Sequence, residues 1–420
     1  MKNNKNNNCN FPTLRFPEFT GEWKRYRVSD FLEFYSTNSL SWEQLDYDAG
    51  EIRNIHYGLI HKGLPAIVNI DECRLPFIKE SNTPKSHTLC KDGDIAFADA
   101  SEDTNDVAKA VELVNCDGKK IICGLHTIHG RDRLNITYIG YKAFAFSSPK
   151  FGVQINKIAQ GTKVFSISAK NFNELFIGIP SLDEQKKIVS LLSLIEERIV
   201  TQNKIIEEYK KLKDTLVEKM FAYTNKKPEL RFAEYDYDWF KHTYADIFKI
   251  ATNRNADNNT LKVLSASQQD GMIERDQIDV DIKYNKDNIK SYKIVEVGDY
   301  IVHLRSFQGG FAYANINGIC SPAYTILRSR NNTLSHSFLR NFFISKKFIN
   351  TLRLVTYGIR DGKSINVEEF LNLEVSIPNS AEQNRIVDAI TSMESKLKFE
   401  IELLILLNRQ KQYLLTKMFI

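Results

Sequence analysis

The sequence contains no pair of cysteines at C-x-x-C spacing, no apolar run long enough to span a bilayer and no apolar segment near its start. Five of its six cysteines (Cys9, Cys73, Cys90, Cys116 and Cys123) lie in the first half, and only Cys320 lies in the second. A disulfide framework built repeat by repeat would place them in both halves, so reduced thiols are expected. The missing apolar run excludes a transmembrane helix. The polar start Met1-Lys2-Asn3-Asn4-Lys5 excludes a secretory signal and reads as a disordered tail over residues 1–12. A cytoplasmic location follows as the expectation. Neither charge sign dominates. Lys and Arg total 57 against 52 for Asp and Glu, which permits nucleic-acid binding without demanding it.

What the sequence does contain is a duplication. Leu14-Arg15-Phe16-Pro17-Glu18-Phe19 returns as Leu230-Arg231-Phe232-Ala233-Glu234-Tyr235, each copy followed by a Trp at the same distance, Trp23 and Trp239. Ile179-Pro180, Glu184-Gln185 and Ile188-Val189 return as Ile377-Pro378, Glu382-Gln383 and Ile386-Val387. Lys219-Met220-Phe221 returns as Lys417-Met418-Phe419. The offset is 216 residues at the opening and 205 where Gly93-Asp94 meets Gly298-Asp299. Matching Thr127-Ile128 to Thr325-Ile326 makes it 198 from there on, with Phe144 and Ser147 opposite Phe342 and Ser345. The first copy thus carries 18 more residues, inserted at two places. Two halves with a common frame and different early loops suit two different targets, and a pseudo-twofold molecule suits duplex DNA.

Each half opens with short β-like runs such as Asp94–Ala98 and Tyr300–Leu304 among turn residues, so two α+β domains are expected over residues 13–178 and 230–376. A long helix follows each, over 179–222 and 377–420, with a polar linker at 223–229 that contains the helix-breaker Pro228. Ser181 three residues before Glu184, and Asn379 three before Glu382, are capping-box signatures. Apolar positions then step by four and three. They are Ile188, Leu192, Ile195, Ile199, Ile206, Tyr209, Leu216 and Met220 in one helix, and Ile386, Ile390, Met393, Leu397, Leu404, Leu407, Leu414 and Met418 in the other. This is a coiled-coil seam, interrupted at Gln202 and Lys213 and again at the matching Glu400 and Lys411. Two amphipathic helices packing into separate domain cores would show the same period. The matched caps, breaks and endings favour mutual pairing, antiparallel if a twofold axis relates the copies.

These residues resemble the specificity subunit of type I restriction-modification systems over nearly the whole chain. The Leu-Arg-Phe openings, Gly-Asp strands, Ile-Pro…Glu-Gln…Ile-Val helix starts and Lys-Met-Phe endings carry the resemblance. His56-Tyr57-Gly58-Leu59-Ile60-His61, Phe97–Asp103 and Ser321-Pro322-Ala323-Tyr324 add to it. The resemblance implies a non-catalytic subunit whose two target-recognition domains each read one half of a bipartite double-stranded DNA site. It implies that an antiparallel coiled coil spaces those domains and docks two methyltransferase subunits, with restriction/translocase subunits completing the enzyme. S-adenosylmethionine, ATP and Mg would belong to those partners, so no cofactor is expected on this chain.

The residues themselves carry few marks of chemistry. There is no Asn-Pro-Pro-Tyr or Asp-Pro-Pro-Tyr segment of an amino-methyltransferase and no ordered nucleophile motif. Gly358–Ser364 has three residues between its glycines where a P-loop needs four. His126 and His129, with His56 and His61, invite a zinc reading, but no equally spaced Cys or carboxylate accompanies them, so no metal is expected. DNA contacts should come from Arg, Lys, Gln and aromatic side chains in polar loops. The candidates are Arg53, Tyr57, Lys62, Lys85, His126, Arg131 and Arg133 in the first domain. In the second they are Arg254, Arg275, Arg305, Gln308, Tyr324, Arg360 and Lys363. Trp23 and Trp239 read as packing residues. A stand-alone two-domain DNA methyltransferase or nuclease, or a structural coiled-coil adaptor, are the competing functions.

Overall fold

A computed structural model describes residues 10–103, 106–161, 163–222, 227–256, 261–267, 270–277, 286–330, 334–358 and 363–420. The architecture is α+β, with a long helix Leu182–Met220 and a second, Ser380–Lys417, in contact with each other. The chain forms two compact units. One comprises residues 1–203 and 402–420, the other 204–401, so each unit takes half of each long helix. No described helix is long and apolar enough to cross a membrane.

In the first unit a five-stranded sheet runs in the order Leu32–Tyr35, Thr127–Asp132, Ile95–Ala98, Ala110–Val114, Ile67–Asn69. The central strand Ile95–Ala98 is buried throughout because its alternate side chains serve two cores. Ile95 and Phe97 join one cluster with Trp23, Tyr141 and Leu192, while Ala96 and Ala98 join another with Ile55, Val68 and Cys123. The second unit repeats this plan. Its four-stranded sheet runs Phe248–Ala251, Thr325–Ser329, Tyr300–Val302, Ala312–Tyr313. Tyr300 and Val302 face one cluster and Ile301 the other.

Strand register corrects the repeat alignment. Asp132 faces Leu32, and Ser329 faces Phe248, the residue equivalent to Leu32. Ser148 caps one helix through Phe151 N–H, and Ser345 caps its counterpart through Phe348 N–H. The offset is therefore 197 here, not 198, and returns to 198 by Ile179 and Ile377, which face Lys24 and Phe240. Single-residue slips between short, similar strands leave composition almost unchanged, so only the pairing reveals them.

The repeated sequence motifs meet one another. Arg15 donates to both oxygens of Glu184 at 2.7 Å each, and Arg231 does so to Glu382 at 2.8 and 2.9 Å. The expected caps form by half. Ser181 Oγ and Asn379 Oδ1 accept from Glu184 and Glu382 N–H, but the two carboxylates turn to the arginines instead of back to the cap. Trp23 donates to Glu184 at 3.2 Å; Trp23 and Trp239 are both buried packing residues. Leu14 N–H donates to Lys417 C=O, and Leu230 N–H to Lys219 C=O. Each opening motif is thus tied to the ending of the other copy's helix.

The helices satisfy both readings of their period. Within the first unit, Glu196 meets Lys411 at 2.6 Å while Ile188, Val189 and Leu192 share a cluster with Leu414, Leu415 and Met418, so the segments run antiparallel. Within the second, Lys213 meets Glu394 at 3.2 Å, and Met220 shares a cluster with Ile386 and Ile390. The two ion pairs are repeat equivalents. They explain the polar interruptions Lys213 and Lys411, while Gln202 and Glu400 are buried. All sixteen seam residues are buried or partly buried. Those at the helix ends also belong to the domain cores.

Candidate nucleic-acid interface

The short turn between Cys123 and Thr127 brings three of the seven first-domain candidates, Tyr57, Lys62 and His126, together. His126 sits there with a left-handed backbone (φ 54°) and an exposed side chain. Its Nδ1 lies 3.1 Å from Asp99, in the segment leaving Ile95–Ala98. The helix Tyr57–Lys62 covers the same strand ends: Tyr57 N–H donates to Leu125 C=O, and His61 Nε2 lies 2.9 Å from Ala100 O. Tyr57 is in ring contact with His56, His61 and His126 at 4.7, 5.8 and 5.1 Å. Trp42, exposed, stacks at a tilt on His56 at 4.3 Å, with the Lys62 ammonium 5.5 Å above it. Aromatic faces beside cations are the equipment for stacking bases and neutralising phosphates. Trp42 and His56 were not among the sequence candidates. Trp42 opens the single 3-10 turn Trp42–Gln44, too short to show a period, so nothing local marks it.

The second unit places three of its seven candidates, Arg305, Gln308 and Tyr324, at the equivalent strand ends. Arg305, exposed, precedes the short helix Ser306–Gly309, which carries exposed Gln308 just after Tyr300–Val302. His303 approaches the Tyr324 ring at 6.2 Å, just before Thr325–Ser329. By the corrected register Tyr324 is the repeat equivalent of Thr127. Lys293 donates to Tyr324 O at 2.6 Å.

Other candidates are engaged within the fold. Arg131 binds both oxygens of Asp94 at 2.8 and 2.6 Å, and its repeat equivalent Arg328 binds Asp299 at 2.8 Å twice. Burial pushes the Asp94 carboxyl up, but Arg131 and His129 outweigh it and hold it below the usual carboxylate range. Arg53 donates to Ile70 O, Arg133 to Asp30 O and Arg275 to Ser265. Lys85 and Lys363 are exposed, Arg254 is exposed and forms a backbone β-bridge with Lys293 beside Tyr324, and Arg360 lies outside the described residues.

Residues 237–409 match the family model of the type I restriction modification DNA specificity domain. The chain carries such a domain. Its fold is similar to that of solved specificity subunits. The S subunit of the type I restriction-modification system from M. genitalium is 15% identical, with TM-score 0.50 over 98% of this chain and 99% of that one. The HsdS subunit from Thermoanaerobacter tengcongensis is 16% identical, with TM-score 0.50 over 94% and 95%. A chain from a structure on complex assembly and conformational transition of the type I R-M system is 15% identical, with TM-score 0.61 over 94% and 96%. No curated protein matches the chain.

His56 gives the first cluster a pH dependence. Burial, then the nearby positive charge of His126 and Lys62, push its imidazole down from 6.5 to about 4. The folded state therefore binds fewer protons than the unfolded state between these values. The stabilisation is fully present above pH 6.5 and is lost as pH falls towards 4. His56→Asn keeps a capping acceptor for Gly58 N–H and should flatten the melting temperature over that interval. Parallel pH profiles for parent and variant would show that His56 is not the group responsible.

Proposed function

We propose that the chain is the DNA-recognition subunit of a type I restriction-modification complex, each recognition domain reading one half of a bipartite site. The family and the fold support DNA recognition over catalysis by this chain, and a stand-alone enzyme is not favoured. The observation that carries the two-half reading is the repeated strand frame with unlike side chains at equivalent ends. One end presents Trp42, Tyr57, Lys62 and His126, the other Arg305, Gln308 and Tyr324. Arg and Gln suit two-pronged contacts to guanine and adenine, and the aromatic set suits stacking and methyl contacts.

The helix pair sets the spacer and docks two methyltransferase subunits; restriction subunits join that assembly. Exposed apolar side chains on the helices support docking: Leu194, Ile405, Leu406 and Tyr413 in the first unit, Leu212, Phe399 and Ile401 in the second. S-adenosylmethionine, ATP and Mg then belong to the partner subunits, in the cytoplasm.

Replacing residues 13–178 with the first domain of another specificity subunit should change one half of the methylated sequence only. Methylome sequencing with the methyltransferase partner supplied reads this directly. A change in both halves would end the one-domain, one-half reading.

A further inference from the structure

The first unit holds three soft ligands in one place. Cys90 leads into the strand Ile95–Ala98 and donates its N–H to Ile121 O at 2.8 Å. Cys123 ends the strand Lys120–Cys123, and His129 lies mid-strand in Thr127–Asp132, facing Ala96. Their ligand atoms all lie within 4.8 Å of one another, and all three residues are buried. We propose that Cys90, Cys123 and His129 bind one zinc ion.

Four observations point the same way. First, the two sulfurs are 3.7 Å apart. Two thiolates on a tetrahedral zinc, with bonds of about 2.3 Å, have sulfurs about 3.8 Å apart. A disulfide would need them to close to about 2.0 Å. Second, His129 Nε2 lies 2.8 Å from Asp94 Oδ2, while its Nδ1 is buried without a partner among the described residues. With the proton on Nε2, Nδ1 offers its lone pair to a metal, and Asp94 orients the ring as carboxylates behind zinc-bound histidines do. Arg131 in turn neutralises Asp94.

Third, the charges close. On binding, each thiol gives its proton to solvent, and two thiolates, one neutral imidazole and Zn²⁺ sum to zero. A neutral site suits the apolar cluster around Ile55, Val68 and Ile121. A tetrahedral shell would take its fourth ligand from solvent. Fourth, the other repeat shows that the frame does not require such residues. Val295, four before Asp299, stands where Cys90 stands before Asp94. Ile326, facing Ile301, stands where His129 faces Ala96. Both are fully buried apolar side chains, with Cys320 nearby in the same cluster.

The consequence falls on the candidate interface. Cys123 and His129 bracket the turn that carries His126, so the metal would pin the backbone from which His126 projects.

Elemental analysis of the full-length chain, purified without chelator, should find about one zinc per chain. Cys123→Ser and His129→Ile, the latter borrowing the other repeat's residue, should each lose it, while Cys73→Ser keeps it. Cobalt(II) exchanged into the parent should give a thiolate charge-transfer band and tetrahedral visible bands, absent from both variants. Should a variant misfold, thiol alkylation of the native parent provides a second readout: Cys90 and Cys123 should react only after chelation. Metal-free parent with both thiols reduced, a Cys90–Cys123 disulfide, or full zinc in His129→Ile would each overturn the proposal.

Discussion

Deleting Leu414–Ile420 should unfold the first unit and leave the second folded. Leu414, Leu415, Met418 and Phe419 are buried in the first unit's main cluster, although they follow the second domain in sequence. Phe419 packs on Trp23 and Tyr141 with ring centroids 6.4 and 5.8 Å apart. Its carbonyl accepts from Lys150, and the Lys417 carbonyl accepts from Leu14. A Cβ on Gly178 would run into Ile420 and Trp23, a measure of how closely the end is seated. Burying a large apolar side chain contributes about 1.5–3 kcal/mol, so four contribute on the order of 6–12. That matches the whole stability of a typical domain, about 5–15 kcal/mol. Amide exchange should therefore show lost protection in Ile95–Ala98, Ala110–Val114 and Thr127–Asp132, with Tyr300–Val302 and Thr325–Ser329 unchanged. Retained protection across the first sheet would mean that the helix end only decorates its core. Met220 and Phe221 fill the equivalent place in the second unit, and their truncation to Ala should act there alone.

The second large effect is electrostatic. Lys142 and Glu112 are buried together, with Nζ 2.7 Å from Oε1, although off the hydrogen-bond direction. Lys142 also donates to Thr137 Oγ1, and Glu112 Oε2 accepts Ala143 N–H at 3.0 Å. Lys142→Met strands a carboxylate in the core and should cost about 3–5 kcal/mol, whereas Lys142→Met with Glu112→Leu should recover most of it. The second repeat supports the rescue. By the corrected register Leu339 stands in the place of Lys142 and is buried among apolar neighbours. Denaturant unfolding followed by exchange in the first unit separates the outcomes. A single variant as stable as the parent would show that the pair is not energetically coupled.

Much of this was legible along the chain because repeats, caps and helical period are local patterns. The seam positions, the polar breaks and the packing role of Trp23 and Trp239 required no knowledge of the partner surface. Candidate contacts were less legible. Arg131 and Arg305 are both loop-flanking arginines in sequence. One grips Asp94 inside the fold, and the other is exposed at a strand end. That difference depends on an acceptor 37 residues away, which no local pattern encodes. The alignment slip of one residue has the same origin, since strand register is a property of pairs.

The sequence by itself determined a duplicated α+β frame, two capped long helices with matching apolar stripes, and the specificity-family resemblance. These follow from spacing, and spacing dictates local geometry. Only the tertiary structure decided which surface each stripe covers: one repeat's helix ending completes the other's core, because an antiparallel pair carries each C-terminus to the opposite start. It alone brought Cys90 and Cys123, 33 residues apart, beside His129, because sheet pairing sets distances that chain separation does not.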